Sequence, residues 1–310
     1  MTIETHIEAP RREDLGQWSS WVDPRTGILE EATFFGSGPS KLFGCLHMPV
    51  GEPIGGLVTC CPFQAELLRN YRREVLLARH LAAHGIAVQR FHYRGSGHSD
   101  GDTADATFET MREDALVAAE HLGRRTGASS IAFMGTRWGG LAAAAATAEN
   151  GGHLALWEPI LDTQRYFDEV LRFRLMYEMK EDPSTTLSDA ALLEEMHRTG
   201  SVDVLGHTLE LRLYESALGR TLSDAVGDRT SSALLVQISL GRGLRKDYAA
   251  VAESWRKRGL AVETHVIPDR ETWWISGDLW QIHETHAATR RLIEVTGDWA
   301  VRRLTRGGAV

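Results

Sequence analysis

A strand, a tight turn and a helix follow one another without a break in Ser130–Thr147, SIAFMGTRWGGLAAAAAT. The apolar run Ile131–Met134 predicts a buried strand, and the alanine-rich run after the glycines predicts a helix. Gly135 and Gly139 are needed if the strand and helix backbones nearly touch around the turn. The segment therefore predicts that the central residue, Arg137, lies at the carboxyl edge of a sheet.

The rest of the chain alternates apolar strand patterns with helical patterns, which predicts an α/β fold with a mostly parallel, doubly wound sheet. An N-terminal hairpin is predicted from Glu31–Phe35 and Leu42–Met48, on either side of a Gly-Ser-Gly-Pro turn. The predicted strands after the hairpin are Leu57–Cys61, Ile86–Phe91, Ile131–Met134, Leu154–Trp157, Ala233–Ile238 and Val262–Ile267. The predicted helices between and after them are Tyr71–Ala83, Ala106–Arg125, Thr136–Glu149, Lys246–Arg258 and roughly His283–Val295.

The alternation stops over residues 159–229, a charge-rich helical stretch that we call the insertion, with one possible strand pair near Leu209–Tyr214. Its place in the order predicts a helical cap over the carboxyl edge of the sheet. We expect residues 1–158 and 230–310 to form one core domain, in which residues 1–29 are an irregular N-terminal arm.

Composition favours a soluble globular protein, with 43% hydrophobic and 25% charged residues among 310 and a net charge of −8. The chain has no Lys/Arg-rich run, so no nucleic-acid partner is expected. It has no apolar run of about 18 residues, so no membrane span is expected. The polar N-terminus lacks the apolar core of a signal peptide, and the simplest expectation is a cytoplasmic protein. A homodimer stays open.

No cofactor or metal is expected. Gly95-Ser96-Gly97 lacks the third glycine of a dinucleotide fingerprint, and no phosphate-binding P-loop motif occurs. Cys45, Cys60 and Cys61 have no metal-binding spacing. The last two cysteines lie in an apolar run, which favours buried, reduced thiols over a disulfide.

Two motifs in the expected order resemble those of the α/β-hydrolase superfamily. Gly135-Thr136-Arg137-Trp138-Gly139 has the G-x-S-x-G frame of the nucleophile elbow, with arginine where the serine belongs. Tyr93–Gly101, YRGSGHSDG, resembles the R-G-x-G-x-S loop of serine-aminopeptidase-like hydrolases. The resemblance implies an α/β-hydrolase fold.

A closer resemblance is to the exosortase A system-associated hydrolases, which also have arginine at the nucleophile position. The departures from that group are Cys61, Gln64 and Glu158. Because a fold does not imply a function, the word "hydrolase" in that name is not taken as an activity. The matching residues are Cys61-Pro62-Phe63, Glu66, Arg72-Arg73, Arg137, Trp157-x-Pro159, Leu171-Arg172-Phe173-Arg174-Leu175 and Thr221-Leu222-Ser223.

The resemblance implies three positions for a Ser-His-Asp triad, and in this sequence none of them holds the expected residue. Arginine stays protonated, so it neither attacks a carbonyl nor acts as a base. The strand after the insertion is followed by no carboxylate until Asp247, and the last strand by no histidine until His283 and His286. These losses argue against serine-type acyl transfer at Arg137.

The candidate catalytic residues are Arg137, Glu158 and Glu66. Arg137 at a helix amino end suits a carboxylate or phosphate; alternatively it pairs with Glu66 or Glu158 and only fills the former nucleophile pocket. Glu158 is a candidate general base, with an ion-paired or surface glutamate as the alternative. Glu66 lies in the loop that normally builds the oxyanion hole, with helix capping as the alternative.

Several other residues are candidates for lining a substrate site. Cys61 is either a nucleophile or inert packing, and the tryptophans after the last strand either wall a site or plug it. His283 and His286, in the last predicted helix, either approach the pocket or lie on the helix surface. The predicted substrate-binding residues are Trp138, Phe63, Cys61, Trp273, Trp274 and His283.

Three hypotheses follow. The first is an enzyme acting on a small, anionic molecule by hydrolysis or lyase-type chemistry, through Arg137 and a carboxylate. The second is a pseudoenzyme that binds a ligand or a partner protein. The third is hydrolysis with a relocated nucleophile, which would be Ser96, Ser99, Ser239 or Cys61.

Overall fold

The computed structural model describes residues 19–36, 40–63, 65–204, 206–270, 273 and 286–305. The strands are β1 (Ser20–Val22), β2 (Leu29–Phe35), β3 (Leu42–Met48), β4 (Gly55–Cys60), β5 (Ile86–Phe91), β6 (Ile131–Thr136), β7 (Gly152–Trp157), β8 (Ser201–Val204), β9 (His207–Glu210), β10 (Thr230–Ile238) and β11 (Ala261–Ile267). The helices are α1 (Ala65–Ala83), α2 (Phe108–Thr126), α3 (Gly139–Asn150), α4 (Thr163–Glu181), α5 (Asp189–Thr199), α6 (Leu211–Ala217), α7 (Leu222–Ala225), α8 (Lys246–Lys257) and α9 (Ala287–Leu304).

Nine strands form the main sheet, in the order β1-β2-β3-β5-β4-β6-β7-β10-β11. The strands from β5 to β11 in this order pair in parallel, and β2 and β3 form an antiparallel hairpin whose second strand joins β5 antiparallel. The predicted mostly parallel sheet with an N-terminal hairpin is confirmed. The stretch expected to be an irregular arm contributes β1, which pairs with β2 at the sheet edge.

Helices pack on both faces of the sheet, because its central strands are apolar on both sides. Leu57 and Val58 are neighbours in β4 but belong to different cores, since successive strand residues point to opposite faces. Val58 packs in the core that includes Leu141 of α3, and Leu57 packs in the core that includes Leu77 of α1. Because the strands from β5 to β11 in this order are parallel, their carboxyl ends lie at one edge of the sheet.

The insertion contributes α4 to α7 and a separate two-stranded sheet, β8-β9, between β7 and β10. The strand pair predicted near Leu209–Tyr214 lies earlier in the chain, because Gly206, at φ +83°, forms the turn of the hairpin and β9 ends at Glu210. Leu213, Tyr214 and Ala217 are instead buried at helical spacing in α6.

Candidate functional site

The turn at Arg137 depends on two glycines. β6 ends at Thr136, Arg137 follows with φ +49°, and α3 begins at Gly139. A Cβ atom on Gly135 would overlap the backbone of Gly139, and a Cβ atom on Gly139 would overlap the backbone carbonyl of Cys60. The strand and the helix therefore approach this closely only because both positions lack a side chain.

The guanidinium of Arg137 is buried and held by two carboxylates. The residue is 7% exposed. Its Nε donates to Glu66 Oε1 at 3.1 Å, and its Nη2 donates to Glu169 Oε2 at 3.3 Å. Burial alone would lower the pKa of Arg137, but Glu66 and Glu169 outweigh burial and raise that pKa. Arg137 is therefore a fixed cation at every accessible pH.

Glu66 lies in the first turn of α1, which begins at Ala65 rather than near the predicted Tyr71. It is 4% exposed. Burial raises the pKa of its carboxyl group, while Arg137 and the backbone N–H of Trp138 oppose that rise. In a serine-type nucleophile elbow, the N–H of the residue after the nucleophile stabilises the reacting oxyanion. Here the Glu66 carboxylate interacts with the backbone N–H of Trp138, the residue after Arg137.

Glu158 follows β7 directly and also has a left-handed backbone, at φ +42°. It is 6% exposed, and its Oε2 accepts a hydrogen bond from the backbone N–H of Ile238 at 2.6 Å. Its Oε1 accepts from Nη1 of Arg245 at 3.1 Å. Burial raises the pKa of Glu158, and the Ile238 N–H and Arg245 oppose the rise.

Arg137 and Glu158 both line a cleft of about 600 Å³. The insertion and the start of α8 contribute charged and aromatic residues to the same cleft. None of these residues was singled out as a site residue from the sequence; the signal available was the spacing of four of them on one face of α4. They are Arg165, Tyr166, Glu169 and Arg172 of α4, with Arg245, Asp247 and Tyr248 at the start of α8.

Cys61 and Phe63 do not line this cleft; they line a second cavity of about 260 Å³, beside Tyr93 and Ser96. Trp138, which follows Arg137, is buried, and its Nε1 donates to the sulfur of Met111 in the wall of that second cavity. The structure therefore brings together Arg137, Glu66 and Glu158 but separates them from two of the predicted substrate-binding residues.

The remaining candidates lie elsewhere or outside the described residues. Trp273 is buried against the guanidinium of Arg73, 4.8 Å from its ring centroid, and does not line the cleft. Trp274 and His283 lie outside the described residues. Of the alternative nucleophiles, Ser99 donates to the backbone carbonyl of His92, and burial raises the pKa of Cys61 well above the usual thiol range.

Among the residues that the structure describes, no group of three or more His, Cys, Asp or Glu side chains is arranged to hold a metal ion. Within the same ranges, no helix combines the length and apolar character needed to cross a membrane.

The comparisons with known proteins agree with this architecture. The model of the family "Serine aminopeptidase, S33" matches residues 66–188. No curated protein matches the sequence.

Esterase structures superpose over most of the chain. A Butyrivibrio proteoclasticus esterase, Est1E, solved with ferulic acid, has 17% identity and a TM-score of 0.61, covering 88% of this chain and 99% of its own. Carboxyl esterase 2 from Tuber melanosporum has 14% identity and a TM-score of 0.55, covering 90% and 88%. A thermostable carboxyl esterase from Bacillus coagulans has 13% identity and a TM-score of 0.55, covering 89% and 99%.

At these identities the structural likeness concerns the fold. The mostly parallel central sheet with helices on both faces agrees with that likeness. The chain therefore has the α/β-hydrolase fold, and residues 66–188 are similar to the serine aminopeptidase family.

Proposed function

We propose that this protein acts on a small anionic molecule in the 600 Å³ cleft, with Arg137 as the anchor and Glu158 as the proton acceptor. The observation that carries the proposal is backbone strain. Arg137 and Glu158 are the two non-glycine residues with positive φ among those the structure describes. Such conformations cost on the order of 1–3 kcal/mol each and cluster at functional sites.

The two strained residues are also neighbours in space. They follow β6 and β7, whose last residues, Thr136 and Trp157, are paired in register. The N–H of Arg137 donates to the carbonyl of Trp157 at 3.0 Å. A left-handed residue at the end of each of two adjacent strands turns both side chains toward one edge of the sheet, where ligands of α/β folds bind.

The chemistry of the pair suits an anionic substrate. Arg137 stays cationic and can hold a carboxylate or phosphate in two hydrogen bonds. The buried Glu158, whose pKa is raised, is a better proton acceptor near neutral pH than an exposed glutamate. In hydrolysis Glu158 would take a proton from the attacking water; in lyase-type chemistry it would take one from a substrate carbon.

A specific observation favours a second candidate, a pseudoenzyme that binds a ligand without turnover. Arg137 is already held by Glu66 and Glu169, and Glu158 is held by Ile238 and Arg245. These hydrogen bonds already pair both charged side chains, so neither needs a ligand to compensate its charge. Binding at Arg137 is common to both candidates, and proton transfer by Glu158 separates them.

The test measures binding and turnover separately. Calorimetry with succinate and ferulate, both carboxylates, should give binding to wild type that Arg137→Lys weakens about tenfold, because lysine cannot form the bidentate contact. Hydrolysis of mono-4-nitrophenyl succinate should be lost in Glu158→Gln while succinate binding stays. Arg198→Ala, an exposed arginine of α5, is the matched control.

Each outcome tests one part of the proposed function. Equal binding by wild type and Arg137→Lys would remove Arg137 as the anchor. Binding without wild-type turnover of the ester, or turnover that Glu158→Gln leaves unchanged, would remove Glu158 as the proton acceptor and leave the binding protein. Circular dichroism of each variant separates these results from loss of folding.

A further inference from the structure

We propose that the ligand of the cleft carries two anionic groups, one held by Arg137 and the second by an arginine of helix α4, Arg165 or Arg172. The inference rests on the proposed function, in which Arg137 holds an anion, and it specifies the class of molecule. Its starting point is the difference between the two carboxylates that hold Arg137.

Glu66 and Glu169 differ in how readily a ligand can replace them. The side chain of Glu66 is 5% exposed and comes from α1 in the core. The side chain of Glu169 is 41% exposed, lines the cleft and comes from α4 in the insertion. Water screens a half-exposed carboxylate, so the ion pair of Glu169 with Arg137 contributes less than that of the buried Glu66. The Glu169 carboxylate is therefore the one that an incoming anion displaces from Arg137.

Two arginines of α4 lie beside Glu169 on the same face of the helix. Arg165 lies four residues before it and Arg172 three residues after it, and side chains at these spacings are neighbours, about 5–6 Å apart at Cβ. Both arginines line the cleft. A ligand group bound in place of Glu169 thus has an arginine on either side of it.

The two arginines of α4 that line the cleft, Arg165 and Arg172, also differ from the other arginines of the cleft in their pairing. Arg137 and Arg245 each form ion pairs with carboxylates. Within the described chain, neither Arg165 nor Arg172 forms an ion pair within 4.0 Å, and both side chains are exposed. When Glu169 is released it can pair with one of them, which leaves the other for a second anionic group.

These contacts identify a dianion, such as a dicarboxylate or a molecule with a carboxylate and a phosphate. A monoanion would satisfy Arg137 but leave the second arginine in water. A charge-assisted hydrogen bond to that arginine adds about tenfold in affinity, which corresponds to about 1.4 kcal/mol. A ligand of this class therefore gains from both the core and the insertion.

The test compares glutarate with its monomethyl ester, which has the same chain and one charge fewer. Calorimetry at low ionic strength should show glutarate binding wild type about tenfold more tightly than the ester. The double variant Arg165→Ala/Arg172→Ala should weaken the binding of both ligands, because the released Glu169 loses its partner, and should reduce that ratio to about threefold or less, because only glutarate carries the second anion. Arg198→Ala, the exposed arginine on α5, should keep the wild-type ratio. Glu169→Gln should tighten the binding of both ligands.

The outcomes separate this inference from the proposed function. If glutarate and the ester bind wild type equally, the second anion site is wrong and the anchor at Arg137 stands. If the ratio persists in the double arginine variant, the second group binds elsewhere and the inference is again wrong. If neither ligand binds, the proposed function fails and this inference fails with it.

Discussion

The carboxylate of Glu66 accepts a hydrogen bond from Nε of Arg137 at 3.1 Å, and both residues are buried. The two side chains come from the start of α1 and from the turn after β6, so this contact joins two separate loops at the edge of the sheet. The Glu66 carboxylate also interacts with the backbone N–H of Trp138, the residue after Arg137.

Arg137→Met is expected to destabilise the protein by about 3–5 kcal/mol, because it leaves Glu66 buried without its cation. The double variant Arg137→Met/Glu66→Met should recover most of that loss, since two apolar side chains of similar volume can replace a buried pair. Urea unfolding followed by tryptophan fluorescence measures both free energies of unfolding. Equal losses in the single and double variants would show that the pair itself stabilises the fold.

Gly135→Ala is expected to destabilise the protein by several kcal/mol or to prevent folding, because its Cβ would overlap the backbone of Gly139. The matched control is Gly243→Ala, a glycine with nothing within 4 Å of an added Cβ. The control should stay within about 0.5 kcal/mol of wild type. Thermal unfolding of both variants decides the matter; a stable Gly135→Ala protein would mean that β6 and α3 are not this close.

Wild type should give no covalent adduct with a fluorophosphonate probe, because the turn after β6 holds Arg137, whose protonated guanidinium is not a nucleophile. Arg137→Ser should also give none, since a serine without an adjacent base is a weak nucleophile. Intact-mass spectrometry measures the adduct. A stoichiometric adduct on Arg137→Ser that disappears in Arg137→Ser/His283→Ala would show that a catalytic histidine is present. An adduct on wild type would show an active serine away from Arg137.

Glu74→Gln is expected to change how stability depends on pH. Glu74 is buried on α1, and burial raises its pKa from 4.5 to about 7, opposed by Arg90 and Thr136. The folded state therefore binds the proton more tightly than the unfolded state, and stability falls as the pH rises from about 4.5 to about 7. Removing the charge should stabilise the protein by roughly 2–4 kcal/mol at pH 8.

The gain from Glu74→Gln should shrink as the pH falls and approach zero below about pH 4.5, where the wild-type carboxyl becomes neutral in both the folded and the unfolded state. Urea unfolding at a series of pH values measures the difference in unfolding free energy between variant and wild type. Glu195→Gln, on the exposed side of α5, is the control and should show almost no pH dependence. A difference that is the same at pH 5 and pH 8 would contradict a raised pKa for Glu74.

Cys60 and Cys61 are expected to resist iodoacetamide at pH 7.5 in the folded protein, because both are buried and burial raises their pKa values above the usual thiol range. In urea all three cysteines of the chain should react. Mass spectrometry of peptides locates each adduct. Rapid modification of Cys61 in the folded protein would restore it as a candidate nucleophile.

The sequence alone determined the hairpin, the order of the core strands and helices that follow it, and the place of Gly135 and Gly139, but not β1 or the strand pair of the insertion. These features depend on local spacing: apolar runs mark buried strands, helical periodicity marks amphipathic helices, and glycine marks a close backbone approach. The resemblance to α/β-hydrolases then predicted that Arg137, Glu66 and Glu158 lie near one another at the carboxyl edge of the sheet. The pairing of Arg137 with Glu66, one of two alternatives open from the sequence, is observed in the structure.

The tertiary structure decided which side chains share the cleft. The sequence grouped Cys61 and Phe63 with Arg137, but they line a separate cavity, because Trp138 packs between the two spaces, beside Phe63 and Tyr166. Nothing local in the insertion marks Glu169 as a partner of Arg137, which lies 32 residues earlier in the chain. That contact depends on how α4 packs against the sheet edge, and such long-range packing is set by the whole core rather than by any one segment.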